Sequence, residues 1–416
     1  GFKDILPAEA ACWRHLEKTA RETFAHFGFG EVRPPVMEKA DLFKKSIGEA
    51  TDIVEKEMYT FTDRSGESIT LRPEATASVV RAYIQHKLYA DNPVRKLYTM
   101  GPMFRRERPQ KGRYRQFHQI NAEVFGIASP YMDARLILML TTLLERLSVG
   151  NVDIHINSLG CRQCRPSYKE ALGAFLEKQA GELCPDCRQR IGRNPLRALD
   201  CKVDRCRKIA AGAPALTDHL CSGCDEHFET VTGLLRDLGI TFIVDKFLVR
   251  GLDYYTRTTF EVQTADLGAQ NAIAGGGRYD DLVRLMGGPD QPAVGFAIGC
   301  ERLIEIISRT IQLPAGGMDL FIAAIGPSAR EKAFSWLCRL NRAGLCAEMQ
   351  FDDKSLKSQM KQADRAGAGR VLIVGDAELD AGRALLRNMA TKEQQKIPLD
   401  NITDRLMEII PGPGEE

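Results

Sequence analysis

Apolar residues recur at helical spacing through residues 9–27, at Cys12, Trp13, Leu16, Ala20, Phe24 and Phe27, until Gly28 and Gly30 end the run. This period predicts an amphipathic helix. Residues 32–36 read as a short strand. Pro34 and Pro35 lack a ladder N–H there, so an edge strand or a chain-to-chain contact is expected, with a plain loop as the alternative. Residues 98–105 and 115–126 alternate as two strands. The nine residues between them carry Arg106, Arg108, Lys111 and Arg113 with the turn formers Pro109 and Gly112, which predicts an antiparallel hairpin with a long basic loop. A helix over 133–146 and a strand over 152–157 follow.

Strand patterns return at 240–249 and 257–263. The run Ala274-Gly275-Gly276-Gly277-Arg278-Tyr279-Asp280 then leads into a helix through Leu285, followed by a strand at 294–298 and a helix at 301–310. Residues 313–317 are rich in Gly and Pro and read as a linker. Beyond them, strands at 320–325 and 370–374 alternate with amphipathic helices, which predicts a small α/β domain with a mainly parallel sheet. The expected division is a domain over 1–317, interrupted by a helical, cysteine-rich insertion at about 161–230, and a second domain over 318–416.

Composition adds limits. An apolar fraction of 44% in 416 residues can build full cores. No apolar run is long enough to span a membrane, and no charged-then-apolar leader opens the chain. It begins at Gly1, so native residues are expected before it. With 57 Lys and Arg against 55 Asp and Glu, the net charge of +2 neither announces nor excludes a nucleic-acid partner, because a local basic patch is enough. Eight of the 12 cysteines fall between Cys161 and Cys224. Without a secretion signal, a reducing cytoplasm is expected rather than a disulfide scaffold.

The hairpin's second strand carries the most chemistry. Alternation puts Phe117, Gln119, Asn121, Glu123 and Phe125 on one face, and Gln116, His118, Ile120, Ala122 and Val124 on the other. Amides and a carboxylate beside an aromatic make poor core, since each such group buried unpaired costs about 1–3 kcal/mol. They suit a polar pocket better, or otherwise a solvated face. The triple glycine lacks the GK[ST] ending of a phosphate-binding loop. Among the cysteines, Cys161-x2-Cys164 and Cys184-x2-Cys187 stand 19 residues apart, within the spacing of zinc modules. Cys201-x4-Cys206 and Cys221-x2-Cys224 form a second possible set. Which pair joins which is open. His219 and His227 read as surface residues rather than ligands.

Residues 98–126 resemble the second signature motif of class II aminoacyl-tRNA synthetases, and 111–119 resemble its form in the histidyl-tRNA synthetase family. Residues 248–257 and 274–280 resemble motifs peculiar to that family, 293–303 the third class II motif, 32–38 the first, and 1–7 the usual opening. The resemblance covers nearly the whole chain. It implies an antiparallel-sheet catalytic core, with 318–416 as an α/β anticodon-binding domain. It also implies ATP-dependent ligation of L-histidine to tRNA(His) through a histidyl-adenylate, with Mg²⁺ accompanying ATP.

The same resemblance implies residue roles. Arg105 and Arg250 meet the α-phosphate and the histidine carboxylate, Arg302 the γ-phosphate, and Phe117 stacks on adenine. Glu74 and Thr76 bind the amino group; the family usually has Gly where Ala75 stands. Glu123 and Tyr255 hold the imidazole, with Tyr254 and Gln119 completing the pocket, and the glycine run lets backbone approach the histidine. Gln110 and Arg113 of the hairpin loop meet the tRNA acceptor end. The first motif implies a homodimer. Two rivals remain: a non-catalytic regulatory relative, which tends to lack the catalytic arginines or the last domain, and a zinc-dependent nucleic-acid module, which would explain only the cysteines.

Overall fold

A computed structural model describes residues 1–49, 51–110, 112–267, 271–311 and 317–410. The chain divides into two compact units, Gly1–Gln312 and Leu313–Glu416. Most of the expected linker, residues 313–316, lies outside the described residues, as does Lys111 of the basic loop.

An eight-stranded sheet organises the first unit. Its order is Gly30–Glu31, Arg95–Phe104, Gln116–Phe125, Ala293–Gly299, Ala272–Arg278, Thr256–Thr264, Val152–Ser158 and Ile243–Val244. The six long strands pair antiparallel, and only the two-residue edge strands pair parallel. Helices Pro7–His26, Pro130–Arg146, Cys300–Thr310 and Ser222–Asp237 supply apolar residues to one face, where Leu16, Phe24, Leu140, Val231 and Ile307 meet Ile120, Ala122, Val124, Phe260 and Phe296. A small sheet of Met37–Lys39, Ser68–Leu71 and Tyr59–Thr62 stands apart from it.

Two expected strands are shorter than their patterns. Residues 32–36 do not form one. Val32 donates to Tyr98 O at 2.8 Å, after which Pro34 and Pro35 have no N–H to offer; their carbonyls instead accept from the Arg72 guanidinium. Of residues 240–249 only Ile243–Val244 pairs, because Asp245 starts a turn in which its carboxylate accepts from Phe247 N and its carbonyl from Leu248 N. The glycine run, by contrast, is a central strand.

The insertion is helical, with Arg165–Lys178, Pro185–Arg193, Asp204–Ala210 and the start of Ser222–Asp237. The second unit has a five-stranded sheet in the order Ala347–Met349, Leu320–Ile325, Arg370–Gly375, Arg383–Asn388, Gln394–Pro398. Its first two pairings are parallel and its last two antiparallel, so the sheet is mixed rather than mainly parallel. The last strands return through short connections, which only antiparallel neighbours allow. No described helix is long and apolar enough to cross a membrane.

Candidate active site

The sheet face opposite the helices carries a cleft of about 280 Å³, bounded by Arg105, Phe117, Gln119, Arg250 and Arg302 among others. Strand pleat places two of these. On Gln116–Phe125 the even residues Ile120, Ala122 and Val124 enter the core, which turns Phe117, Gln119 and Glu123 to the opposite face.

Glu123 forms the floor of a buried polar pocket. It is 1% exposed, accepts from Thr76 Oγ1 at 2.7 Å, and accepts from the Tyr279 hydroxyl. Burial pushes its pKa up to about 8, against the pull of the Tyr279 and Thr76 donors. A Cβ on Gly295 would overlap its carboxylate, so only glycine leaves room there. Tyr254 and Tyr255 wall the pocket with ring centroids 4.7 Å apart, and Tyr254 meets Tyr279 edge-on at 5.5 Å. Glu74 is also buried; its oxygens accept from Thr76 N at 2.7 Å and Ala77 N at 2.9 Å, at the start of helix Thr76–Gln85. Burial raises its pKa, opposed by those N–H groups and by Arg105.

Arg105 and Arg250 adjoin this pocket, and Arg302 lines the cleft beside them. Arg105 follows directly on its strand, donates to Pro73 O at 2.9 Å, and places its guanidinium 5.2 Å from the Phe117 ring centre. Arg250 pairs with Glu261 and lies 6.0 Å from the Tyr255 ring. Burial works against its charge, and Tyr255 and Glu261 more than offset that, so its pKa is raised. A Cβ on Gly275 would strike its guanidinium, so the glycine strand lets Arg250 lie flat across it. Arg302, in the first turn of Cys300–Thr310, donates to Gly112 O at 3.1 Å and to Ala272 O. Its charge adds to the helix N-terminus, a combination that suits an anion. Gln119 Oε1 and Arg250 Nε are buried here without a described partner; such atoms await a ligand or water.

The hairpin loop is partly folded. Gln110 and Arg113 exchange backbone hydrogen bonds of 3.1 and 2.9 Å; Gln110 is exposed, while Arg113 lines the cleft and pairs with Glu107.

The sequence reading missed Tyr279 and Glu261. Tyr279 sits at the tail of the glycine run, and Glu261 alternates with core residues Phe260 and Val262, which was the available signal. His227 is not a surface residue. It is 6% exposed, with Nε2 3.2 Å from Asp133, whose carboxylate also pairs with the wholly buried Arg278. An otherwise hydrophilic helix turn hid this, since the partners lie far away in sequence. His219 is partly buried, its ring centre 5.5 Å from that of Tyr168.

The eight insertion cysteines form two clusters of four, with the sulfur atoms of each within 4.8 Å of one another. Cys161, Cys164, Cys221 and Cys224 make the proximal cluster; Cys184, Cys187, Cys201 and Cys206 make the distal one. The first spacing considered, Cys161/Cys164 with Cys184/Cys187, is not the one adopted. Helix Arg165–Lys178 carries the chain away from Cys164 before the second pair begins. Sγ···Sγ separations include 3.7 Å for Cys161–Cys221 and Cys161–Cys164, 3.8 Å for Cys164–Cys224 and 3.9 Å for Cys184–Cys201.

The sequence model described as Histidyl-tRNA synthetase matches residues 1–303, and that described as Anticodon binding domain matches residues 319–409. A histidine–tRNA ligase of Desulfosudis oleivorans is 65% identical over 98% of this chain and 96% of its own. One of Desulforapulum autotrophicum is 57% identical over 100% and 98%. Among solved structures, apo histidyl-tRNA synthetase of S. aureus superposes with a TM-score of 0.83 at 36% identity, covering 97% of this chain and 98% of that one. Full-length likeness at these identities, together with arginines and a polar pocket on one face of an antiparallel sheet, makes this chain a member of the histidyl-tRNA synthetase family.

Proposed function

We propose that this chain joins L-histidine to tRNA(His) using ATP, in two steps at the cleft just described. The histidine carboxylate attacks the α-phosphorus, the bond to pyrophosphate breaks, and histidyl-adenylate remains. The terminal ribose hydroxyl of the tRNA then attacks the acyl carbon, and AMP and a proton leave. Negative charge grows on phosphate oxygens in the first step, so positioned cations do most of the work. Arg105 and Arg250 take the α-phosphate and carboxylate, and Arg302 the γ-phosphate. Arg105 covers one face of Phe117, leaving the other for adenine.

Neutral imidazole offers one donor and one acceptor. Glu123 supplies an acceptor and the Tyr255 hydroxyl a donor, with Tyr254 beside them. Glu74, Thr76 and the unpartnered Gln119 oxygen suit the ammonium group. The observation that carries this reading is the meeting of a buried acceptor pocket with three arginines in one cleft. The regulatory reading is disfavoured, since those arginines and the last domain are both present.

Mg²⁺ fits the same cleft: Glu107, Glu261 and Glu301 supply the hard oxygen donors it prefers, and bound with ATP it offsets phosphate charge. The cysteine clusters suit zinc. A tetrahedron with Zn–S bonds of about 2.3 Å has sulfurs about 3.8 Å apart; all sulfurs of each cluster lie within 4.8 Å of one another, four of the separations between 3.7 and 3.9 Å. Exposed Gln110, with Arg106, Arg108 and the cleft-lining Arg113 beside it, faces the acceptor end, and the second unit takes the anticodon. The chain works as a cytoplasmic homodimer joined through residues 32–38, the segment that resembles the first class II motif.

Histidine-dependent ATP–pyrophosphate exchange tests the activity. Exchange with histidine alone, requiring Mg²⁺, is expected; equal exchange with several amino acids, or none with histidine, defeats the assignment.

A further inference from the structure

The distal cysteine cluster is one short turn from the catalytic wall. Helix Pro185–Arg193 begins after Cys184, and Cys187 is its single buried residue; helix Asp204–Ala210 buries only Cys206 and Ala210. Each helix brings only a few apolar residues to the core, Cys187 and Ile191 from the first and Cys206, Ile209 and Ala210 from the second, and small elements of that kind gain from a cross-link. The turn Pro195–Ala198 between them nevertheless grips the catalytic loop. Arg197 donates to the carbonyls of Arg250 at 3.3 Å and Gly251 at 2.6 Å, and its Nε is 3.6 Å from the Asp253 carboxylate. Asn194 donates to the same carboxylate at 3.0 Å. Arg190, on the cysteine helix, donates to the Arg197 carbonyl at 3.3 Å. Lys202, next to Cys201, lines the cleft itself.

Among the described residues, the side-chain hydrogen bonds to the Arg250 and Gly251 carbonyls thus come from the segment closed by Cys184, Cys187, Cys201 and Cys206. Backbone N–H groups also point at the sulfurs, Cys187 N at Cys184 Sγ (3.4 Å) and Cys184 N at Cys206 Sγ (3.2 Å), as outer-shell donors to metal-bound thiolates do.

We propose that the distal cluster is a Zn²⁺ site whose task is to clamp the catalytic loop, with Arg197 as the positioning residue for Arg250; this rests on the reading that the insertion binds zinc. The metal fixes the cysteines, the cysteines fix the turn, and the turn sets where the Arg250 guanidinium meets developing charge. A displacement of about 1 Å at such a group can cost about a hundredfold in rate.

The test pairs zinc analysis of the full chain, purified reduced and without chelator, with kinetics of ATP–pyrophosphate exchange. Two zinc ions per chain are expected in the wild type and in Arg197→Ala, and one in Cys206→Ser. Both variants should lose at least about tenfold in kcat while KM for histidine moves less than about threefold, because the contact matters most in the transition state. Arg197→Lys should recover part of the loss, the double variant should be no worse than either single one, and Arg207→Ala, exposed on the same segment, should behave as wild type. A wild type without zinc overturns the metal reading and the proposal with it. Normal kcat in Arg197→Ala, or in a Cys206→Ser protein that has lost one zinc, overturns the clamp and leaves the zinc reading standing. If Cys206→Ser does not fold, Arg197→Ala still decides.

Discussion

The Tyr279 hydroxyl donates to the Glu123 carboxylate, although the two residues are 156 positions apart in the chain. Thr76 reaches the same carboxylate from a third segment. Three strands of sequence therefore converge on one buried acid, whose pKa of about 8 has a consequence for stability. In the unfolded chain this carboxyl titrates near 4.3. Between those values the folded state holds a proton that the unfolded state has released, so its contribution to stability is full below about pH 4 and is lost as pH rises toward 8. Glu123→Gln removes that dependence. Its melting temperature should exceed the wild type's by several degrees at pH 8 and by little at pH 5, while histidine-dependent exchange is abolished. An equal offset at both pH values would show that the acid is ionised throughout.

Arg250→Ala should reduce kcat for exchange by about a hundredfold or more with little change in KM for histidine, because charge at the α-phosphate develops only in the transition state. Gly275→Ala should show a milder version of the same pattern, since its methyl group occupies the guanidinium's place. A raised KM at normal kcat in either variant would assign Arg250 to ground-state binding instead.

Asp133 and Arg278 are both wholly buried, and Asp133 also takes His227. Removing one member strands a buried charge, a loss of about 3–5 kcal/mol. Asp133→Ala should therefore lower the denaturation midpoint of the Gly1–Gln312 unit markedly, as followed by urea titration. A shift equivalent to less than about 1 kcal/mol would mean that water reaches the site.

Gln110 is exposed on the basic hairpin loop beside the cleft, and Gln110→Ala should reduce tRNA charging while leaving exchange nearly intact. Parallel loss of both activities would make Gln110 a support of the cleft. No change in either would move tRNA selection to the second unit.

The pleat of Gln116–Phe125 could be read directly, because a strand with core on one side must show period two, and polar residues facing Ile120, Ala122 and Val124 across the backbone then announce a pocket. Prolines 34 and 35 were harder. They permit an edge strand or a loop, and the choice fell to Arg72, a distant side chain that captures their carbonyls. Tyr279 was hidden inside a motif read for its glycines, and Glu261 by its place in a strand whose other positions are mostly threonine, arginine and glutamine. His227 could not have been placed without Asp133. The cysteine spacing announced paired thiols, yet the partition into clusters is a fact of helix direction that spacing alone does not encode.

The two clusters close like nested brackets, with Cys184 to Cys206 inside Cys161 to Cys221. The Cys184–Cys201 contact inside spans 17 residues and the Cys161–Cys221 contact outside spans 60. Beyond both, Val152–Ser158 must find Thr256–Thr264, a pairing that a free chain reaches only after searching a very long loop. Loop closure becomes costlier with length, and non-local pairings of this kind slow folding. If zinc closes each bracket, it shortens the loop left for the next, and the proposed metal sites would then act on the assembly order of the sheet as well as on its finished shape. Refolding in the presence of a zinc chelator should accordingly be slower than with zinc, and equal rates would show that the sheet forms first.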